Sequence, residues 1–219
     1  MKRILAVAAG LAVAAVLILF LFAPAFSGDL VLPQYFEVGI FQVRYYGLIM
    51  AAAILAAYFV ARINSWRYGL SKDEVDRLVF WTVIVSFISA RIYFVLSNFN
   101  YFQRHVIESF FIWHGGLSIF GAILGGILFL LLYTRKKIYS AWQVFDLAAI
   151  SLPLGQAIGR LGNFMNYEAY GTPTDLPWRM YVPEMYRVQG AEYYHPTFLY
   201  EAIANLIIFA VLFRLRGKL

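Results

Sequence analysis

A chain of 219 residues that is 62% hydrophobic and only 14% charged, with mean hydropathy +0.70, has too little polar surface for a soluble domain and reads as an all-α, polytopic integral membrane helical bundle. Its formal charge of +6 does not make it a nucleic-acid binder, because the basic residues alternate with the apolar stretches instead of forming one patch. The chain has no cysteine, so any sulfur chemistry would have to use a thiol brought by a substrate, and nothing in the residues implies a cofactor or a metal.

Stretches long enough to cross a bilayer as helices predict about six transmembrane helices: Ile4–Phe22, Tyr45–Ala61, Val79–Leu96, Leu117–Tyr133, Trp142–Ile158 and Thr197–Phe213. The first is preceded by Lys2 and Arg3 and followed by Ala23-Pro24-Ala25, which resembles a secretory signal with a small-residue cleavage site. Its apolar core is long for a signal, so residues 1–28 are expected to be an uncleaved anchor and 29–219 the membrane domain proper. Arg62, Arg67, Lys72 and Arg77 lie between the second and third spans; Arg135, Lys136 and Lys137 follow the fourth; Arg214, Arg216 and Lys218 follow the sixth. The positive-inside rule then puts both ends in the cytoplasm. Polar residues from separate spans gather at the opposite, outer face, where a pocket is expected.

The densest cluster is Gly159-Arg-Leu-Gly-Asn-Phe-Met-Asn-Tyr-Glu-Ala-Tyr-Gly171, which follows an apolar run. A charge beside a span is costly and usually serves a site or a pathway. Arg160 carries a planar fork suited to phosphate or carboxylate, although an arginine can also snorkel to headgroups. Asn163, Asn166 and Glu168 either bond a ligand or cap a broken helix end. Gly155, Gly159 and Gly162 either admit close approach or serve helix packing. The second cluster is His195-Pro-Thr-Phe-Leu-Tyr-Glu201. Glu201 lies just inside the last span and needs a partner, Arg160 or a histidine. Arg91, inside the third span, raises the same question. His114, before Gly115-Gly116 and the Leu117-Ser118 step into a span, is either a proton relay or an idle interfacial histidine. Tyr46 either donates a phenolic hydrogen bond or anchors the interface. A transporter would need polar residues along a whole crossing, and these collect at one face.

Together with Arg44-Tyr-Tyr-Gly-Leu48, Ala90-Arg-Ile-Tyr93, Trp113-His-Gly-Gly-Leu-Ser-Ile-Phe-Gly121 and Gln143-Val-Phe-Asp146, these clusters resemble the prolipoprotein diacylglyceryl transferases of bacterial inner membranes. The pieces occur in the family's order from about Glu37 onward. The resemblance implies transfer of a diacylglyceryl group from phosphatidylglycerol to the lipobox cysteine of a prolipoprotein, forming a thioether and releasing glycerol phosphate. It places the family's essential arginine and asparagine at Arg160 and Asn163 and its tyrosine at Tyr46. The expected catalytic set is Arg160, Asn163, His114, Tyr46 and Glu201. The expected substrate-binding set is Asn166, Glu168, Gly171, Arg91, His195, Tyr200 and Ser118, with membrane lipids and prolipoproteins as partners and no nucleic acid.

The chain departs from the family's pattern at three points. Some members carry a histidine, a proposed base, where this chain has Phe120; His114 or His195 would take its place. The family does not require the span Ile4–Phe22. Its members normally continue through two further spans, one bearing Arg and Glu, so the chain is expected to be a naturally short member, a fragment of a longer one, or a protein that keeps the lipid pocket and has lost turnover. That shortness also motivates a second reading, a non-catalytic phospholipid-binding or accessory protein that keeps the lipid pocket.

Overall fold

A computed structural model describes residues 22–39, 41–112 and 115–216. Except for Phe22, the expected span Ile4–Phe22 lies outside the described residues, as does His114. Residues 22–27 are helical. A hairpin follows, β1 (Tyr35–Val38) pairing antiparallel with β2 (Phe41–Arg44). Gly39 takes φ +62° where the chain reverses, a conformation open to glycine at little cost. The long helices are α1 (Tyr45–Asn64), α2 (Lys72–Ser97), α4 (Ile119–Thr134), α5 (Ala141–Met165) and α6 (Thr197–Leu215), with a single turn, α3 (Phe99–Phe102), after α2. A second hairpin, β3 (Met180–Tyr181) with β4 (Tyr193–Tyr194), lies in the connection between α5 and α6.

The helical reading holds. Among the described residues α1 with the short turn that continues it, α2, α5 and α6 are long and apolar enough to cross a membrane, and α4 is a shorter apolar helix. At 16 residues α4 is about 24 Å long, a little under the hydrocarbon thickness. Two boundaries differ from the sequence expectation, and each difference has a local cause. α2 begins at Lys72, not Val79, because Ser71 caps it by accepting from the Glu74 amide (3.2 Å) and Asp73 and Glu74 suit a first turn. α5 runs on to Met165, past Ile158, so Arg160 and Asn163 project from a helix and not from a loop.

The described residues divide into two compact units, one of 22–55 with Pro153–Ala210 and the other of Ala56–Leu152 with 211–216. The second has a core of Val75, Leu78, Leu130, Leu147 and Ile150. In it α4 packs closely on α2, because Gly121, Gly125 and Gly126 leave room for Tyr93, Ser89 and Ser86. Two carboxylates of α2 gather the neighbouring cations. Asp76 accepts from Arg62 and from the Tyr58 hydroxyl, both at 2.8 Å. Glu74 accepts from Arg77 (3.0 Å), Lys137 (3.4 Å) and the Tyr139 hydroxyl (2.7 Å).

The first unit is built around Ala25, Phe164, Tyr167, Met180, Val182, Tyr194 and Phe198. Phe22 and Phe26 pack against Phe164, so the helical turn at 22–27 belongs to this core. This unit carries the polar cluster.

Candidate active site

The site begins where α5 ends. Tyr167 and Ala169 both adopt left-handed backbone angles, φ +52° and +54°, which turn the chain back on the helix. Neither is glycine, so each conformation carries strain that its surroundings must offset. At Tyr167 the offset is visible. Its side chain is 4% exposed, its ring stacks on Tyr186, and its hydroxyl accepts from the Leu32 amide (2.7 Å) while facing the Leu32 carbonyl (3.3 Å). Burial pushes this phenol above its ordinary pKa. The Glu168 amide bonds back to the Asn163 carbonyl (3.0 Å), which brings the Glu168 carboxylate over the last turn of α5.

That carboxylate organises the amides. Glu168 Oε1 accepts from Asn163 Nδ2 (2.9 Å) and Asn166 Nδ2 (3.3 Å). With its nitrogen so engaged, Asn163 turns its oxygen toward Arg160, whose Nη1 donates to it at 3.3 Å. The other arm of the Arg160 fork, Nη2, pairs with Glu201 of α6. Glu201 therefore has the partner that a carboxylate inside a span requires, and the partner is Arg160. The two side chains are 36% and 51% exposed, so the pair is open to a ligand. α1 closes another side. Tyr46 lies against Gly162, where a Cβ would come within 3.0 Å of its ring, and Met50 lies against Gly159. Tyr46 is within electrostatic reach of both Glu168 and Arg160.

The far end of the cluster is fixed to the start of α6. The Gly171 amide donates to the His195 carbonyl (2.8 Å), the His195 amide donates to the Thr172 carbonyl (3.0 Å), and the Thr197 hydroxyl donates to the Ala169 carbonyl (2.6 Å). A Cβ on Gly171 would meet Thr197 at 2.8 Å, so only glycine allows these segments to lie together without displacement. Pro196 precedes α6, where its missing N–H costs no helical bond. His195 Nδ1 lies 3.2 Å from the Tyr200 hydroxyl, which accepts from Trp178 Nε1 at 2.8 Å. The Tyr200 oxygen accepts from the indole and, in the tautomer with hydrogen on Nδ1, from Nδ1–H as well, which leaves Nε2 as a bare acceptor.

Next to this polar network is an apolar cavity of about 580 Å³ whose lining includes Phe22, Phe26, Leu161, Phe164, Trp178 and Phe198. Its walls and the network share α5 and α6. The arrangement offers a permanently charged fork with a resident counter-ion, oriented amides and an imidazole. It can hold an anion, orient a polar head beside apolar surface, and take up a proton.

One unit thus brings together Tyr46, Arg160, Asn163, Asn166, Glu168, Gly171, His195, Tyr200 and Glu201. Arg91 and Ser118 belong to the other unit. Arg91 donates from Nε to Ser109 O (2.8 Å), from Nη1 to Gly115 O (2.8 Å) and Gly116 O (3.0 Å), and from Nη2 to Glu108 O (2.6 Å) and Phe111 O (3.3 Å). All five N–H groups are occupied by carbonyls of one loop, which leaves none for a substrate. Gly115 and Gly116 take φ +86° and +78°. The Ser118 amide bonds to the Ala90 carbonyl (3.1 Å), fixing the start of α4 beside α2. Residues that the sequence reading missed serve as supports. Gln34 donates to the Asn166 carbonyl (3.1 Å), Trp178 orients Tyr200, and the Tyr167 hydroxyl holds Leu32. Their partners are remote in sequence, and no local pattern marks them.

A helical membrane protein whose anion-suited arginine is embedded in a run of amides, a carboxylate and glycines defines a narrow class. Residues 33–218 match the family profile described as prolipoprotein diacylglyceryl transferase. The chain is 44% identical to a phosphatidylglycerol–prolipoprotein diacylglyceryl transferase of Fervidobacterium nodosum, covering 89% of this chain and 68% of that protein. It is 43% identical to the protein of the same name from Thermotoga maritima, over 97% of this chain and 75% of the relative. With the corresponding protein of Acaryochloris marina the identity is 44%, over 85% and 69% respectively. The chain belongs to the prolipoprotein diacylglyceryl transferase family.

Proposed function

We propose that this protein transfers a diacylglyceryl group from phosphatidylglycerol to the lipobox cysteine of a prolipoprotein, at the outer face of a bacterial inner membrane. The substrate's sulfur, as thiolate, attacks a glyceryl carbon. A carbon–sulfur bond forms, the carbon–oxygen bond to phosphate breaks, and glycerol phosphate leaves with the electron pair. The leaving group gains negative charge as it departs, so the chief demand on the protein is a cation fixed in advance where that charge appears. Arg160 meets it, held by Asn163 on one arm and by Glu201 on the other. Tyr46, beside both Arg160 and Glu168, orients the lipid. His195 takes the thiol proton at Nε2, its ring set by Tyr200 and Trp178. Gly171 lets the His195 segment lie against the motif.

The observation that carries this reading is the Arg160 fork bridging Asn163 and Glu201 inside the family's motif. For the outer location the support lies along α1, where Tyr46 and Arg62 occupy opposite ends and the cations gather at the Arg62 end. The test is incubation of the purified protein with labelled phosphatidylglycerol and a lipobox peptide. The expected result is a peptide heavier by one diacylglyceryl group, one glycerol phosphate released per peptide, and no reaction when the cysteine is serine. A folded protein that leaves the peptide mass unchanged would refute the reading.

A further inference from the structure

Among the described residues, two side-chain atoms are buried without a hydrogen-bond partner, and one of them is Asn166 Oδ1, within the site. Its orientation is not arbitrary. Glu168 Oε1 takes hydrogen bonds from both Asn163 and Asn166, and a carboxylate can only accept, so each amide must turn its nitrogen toward it. The two oxygens then point elsewhere. That of Asn163 meets Arg160 Nη1, whereas that of Asn166 meets nothing. The backbone of Asn166 is held on both sides. The Asn166 amide bonds to the Gly162 carbonyl (3.2 Å), and its own carbonyl accepts from Gln34 Nε2 (3.1 Å). A buried, oriented acceptor with no protein donor is matched by a donor on a ligand.

We infer that Asn166 Oδ1 accepts a hydrogen bond from a hydroxyl of the head-group glycerol of phosphatidylglycerol and so selects donors whose head carries a hydroxyl. The inference rests on the transferase reading above. The chemistry of the reactants narrows the choice. Within the lipid, the phosphodiester monoanion and the two acyl esters have no hydrogen to donate, which leaves the head-group hydroxyls; a peptide N–H is the competing donor, and a comparison of lipids with and without a head hydroxyl separates the two. The head-group glycerol has two hydroxyls, attached through a short carbon chain to the phosphate assigned to Arg160. The relay Arg160–Asn163–Glu168–Asn166 therefore links the phosphate cation to a buried acceptor that no protein donor meets. Asn166 is in this view a specificity residue, distinct in role from Asn163.

The test compares phosphatidylglycerol with phosphatidylpropanol, which has the same acyl chains and charge but no head hydroxyl. The quantity read is the ratio of kcat/KM for the two lipids, in the wild-type protein and in Asn166→Ala. Leaving a buried acceptor unpaired predicts a wild-type preference for phosphatidylglycerol of about 10-fold to 100-fold, collapsing to within about threefold of unity in Asn166→Ala. Should that variant turn over too slowly to measure, equilibrium binding of the two lipids to it must show the same collapse. A wild-type protein that uses both lipids equally, or an Asn166→Ala protein with the wild-type ratio, overturns the inference and leaves the transferase reading standing. If the wild-type protein transfers from neither lipid, both fall.

Discussion

Replacing Arg160 by lysine separates charge from geometry. Lysine keeps the positive charge but offers a point donor in place of a fork, so it cannot engage Glu201 and Asn163 as Nη2 and Nη1 do together. Two magnitudes follow. For stability, both members of the Arg160–Glu201 pair are about a third to a half exposed, and pairs this open contribute about 0–1 kcal/mol. Glu201 is also only a few residues into α6, which begins at Thr197, about 6 Å along the helix from its start and so near the polar boundary. Arg160→Lys should therefore fold, with a thermal midpoint within a few degrees of the wild type. For catalysis, displacing a preorganised donor to developing charge costs about 3–4 kcal/mol, or about 10²–10³ in kcat. The assay is transfer of labelled diacylglyceryl to a lipobox peptide, run beside thermal unfolding in the same detergent. Asn163→Ala, which frees one arm of the fork, should lose part of the same activity, and the double variant should lose less than the sum because the two act as a unit. Transfer within about threefold of wild type in Arg160→Lys would refute the argument. So would a fall in activity matched by a comparable collapse in the thermal midpoint, since the arginine would then be structural.

Three other substitutions test the scaffold. Arg91→Lys removes most of the carbonyl bonds that shape residues 108–116, at a cost of at least about 1.5–3 kcal/mol, the value of one charged hydrogen bond; hydrogen exchange should rise across that loop and stay unchanged in α2 and α4, and an unaltered loop would contradict the assignment. Gly121→Ala would set a methyl against Tyr93 Cβ and 2.5 Å from the Ser89 carbonyl, so overpacking by about 1–3 kcal/mol should lower the thermal midpoint, and an unchanged midpoint would show that α2 and α4 can part freely. Tyr167→Phe removes the partner of the partly buried Leu32 amide and should cost about 1 kcal/mol in chemical unfolding. Because burial raises the folded phenol above its ordinary pKa, the wild-type advantage over Tyr167→Phe should be fully present below the ordinary phenol value and lost as alkali carries the pH up through the raised one.

The parts of this molecule that could be read from its sequence are those whose physics is local. Continuous apolar runs announced the helices. The Gly159–Gly171 and His195–Glu201 clusters stood out because polar residues next to spans are expensive, and the structure joins them through Arg160 and Glu201. The start of α2 was misplaced because hydropathy does not register a capping serine. The hairpin β1–β2 went unread although Glu37 faces Gln42 across it and Gly39 marks its turn, because its apolar residues merge with those of α1 in any long window. Gln34, Trp178 and the hydroxyl of Tyr167 were invisible for a different reason. Each acts on a residue brought near only by folding, and nothing in its own neighbourhood distinguishes it from an ordinary interfacial side chain. The occupied state of Arg91 belongs to the same class, since a sequence shows that an arginine needs acceptors but not whether backbone or ligand supplies them.

The five carbonyls around Arg91 also impose an order in time. They come from residues 108–116, which the ribosome makes only after the arginine itself. At about 5–20 residues per second, the guanidinium emerges roughly 1–5 s before its last acceptors follow it out of the ribosome. During that interval a charged helix must be lodged in the bilayer or held by the insertion machinery, with water or lipid phosphate as its temporary company. Slower translation between the emergence of Arg91 and that of its loop would lengthen this exposure, so the yield of inserted protein should fall when that stage is slowed.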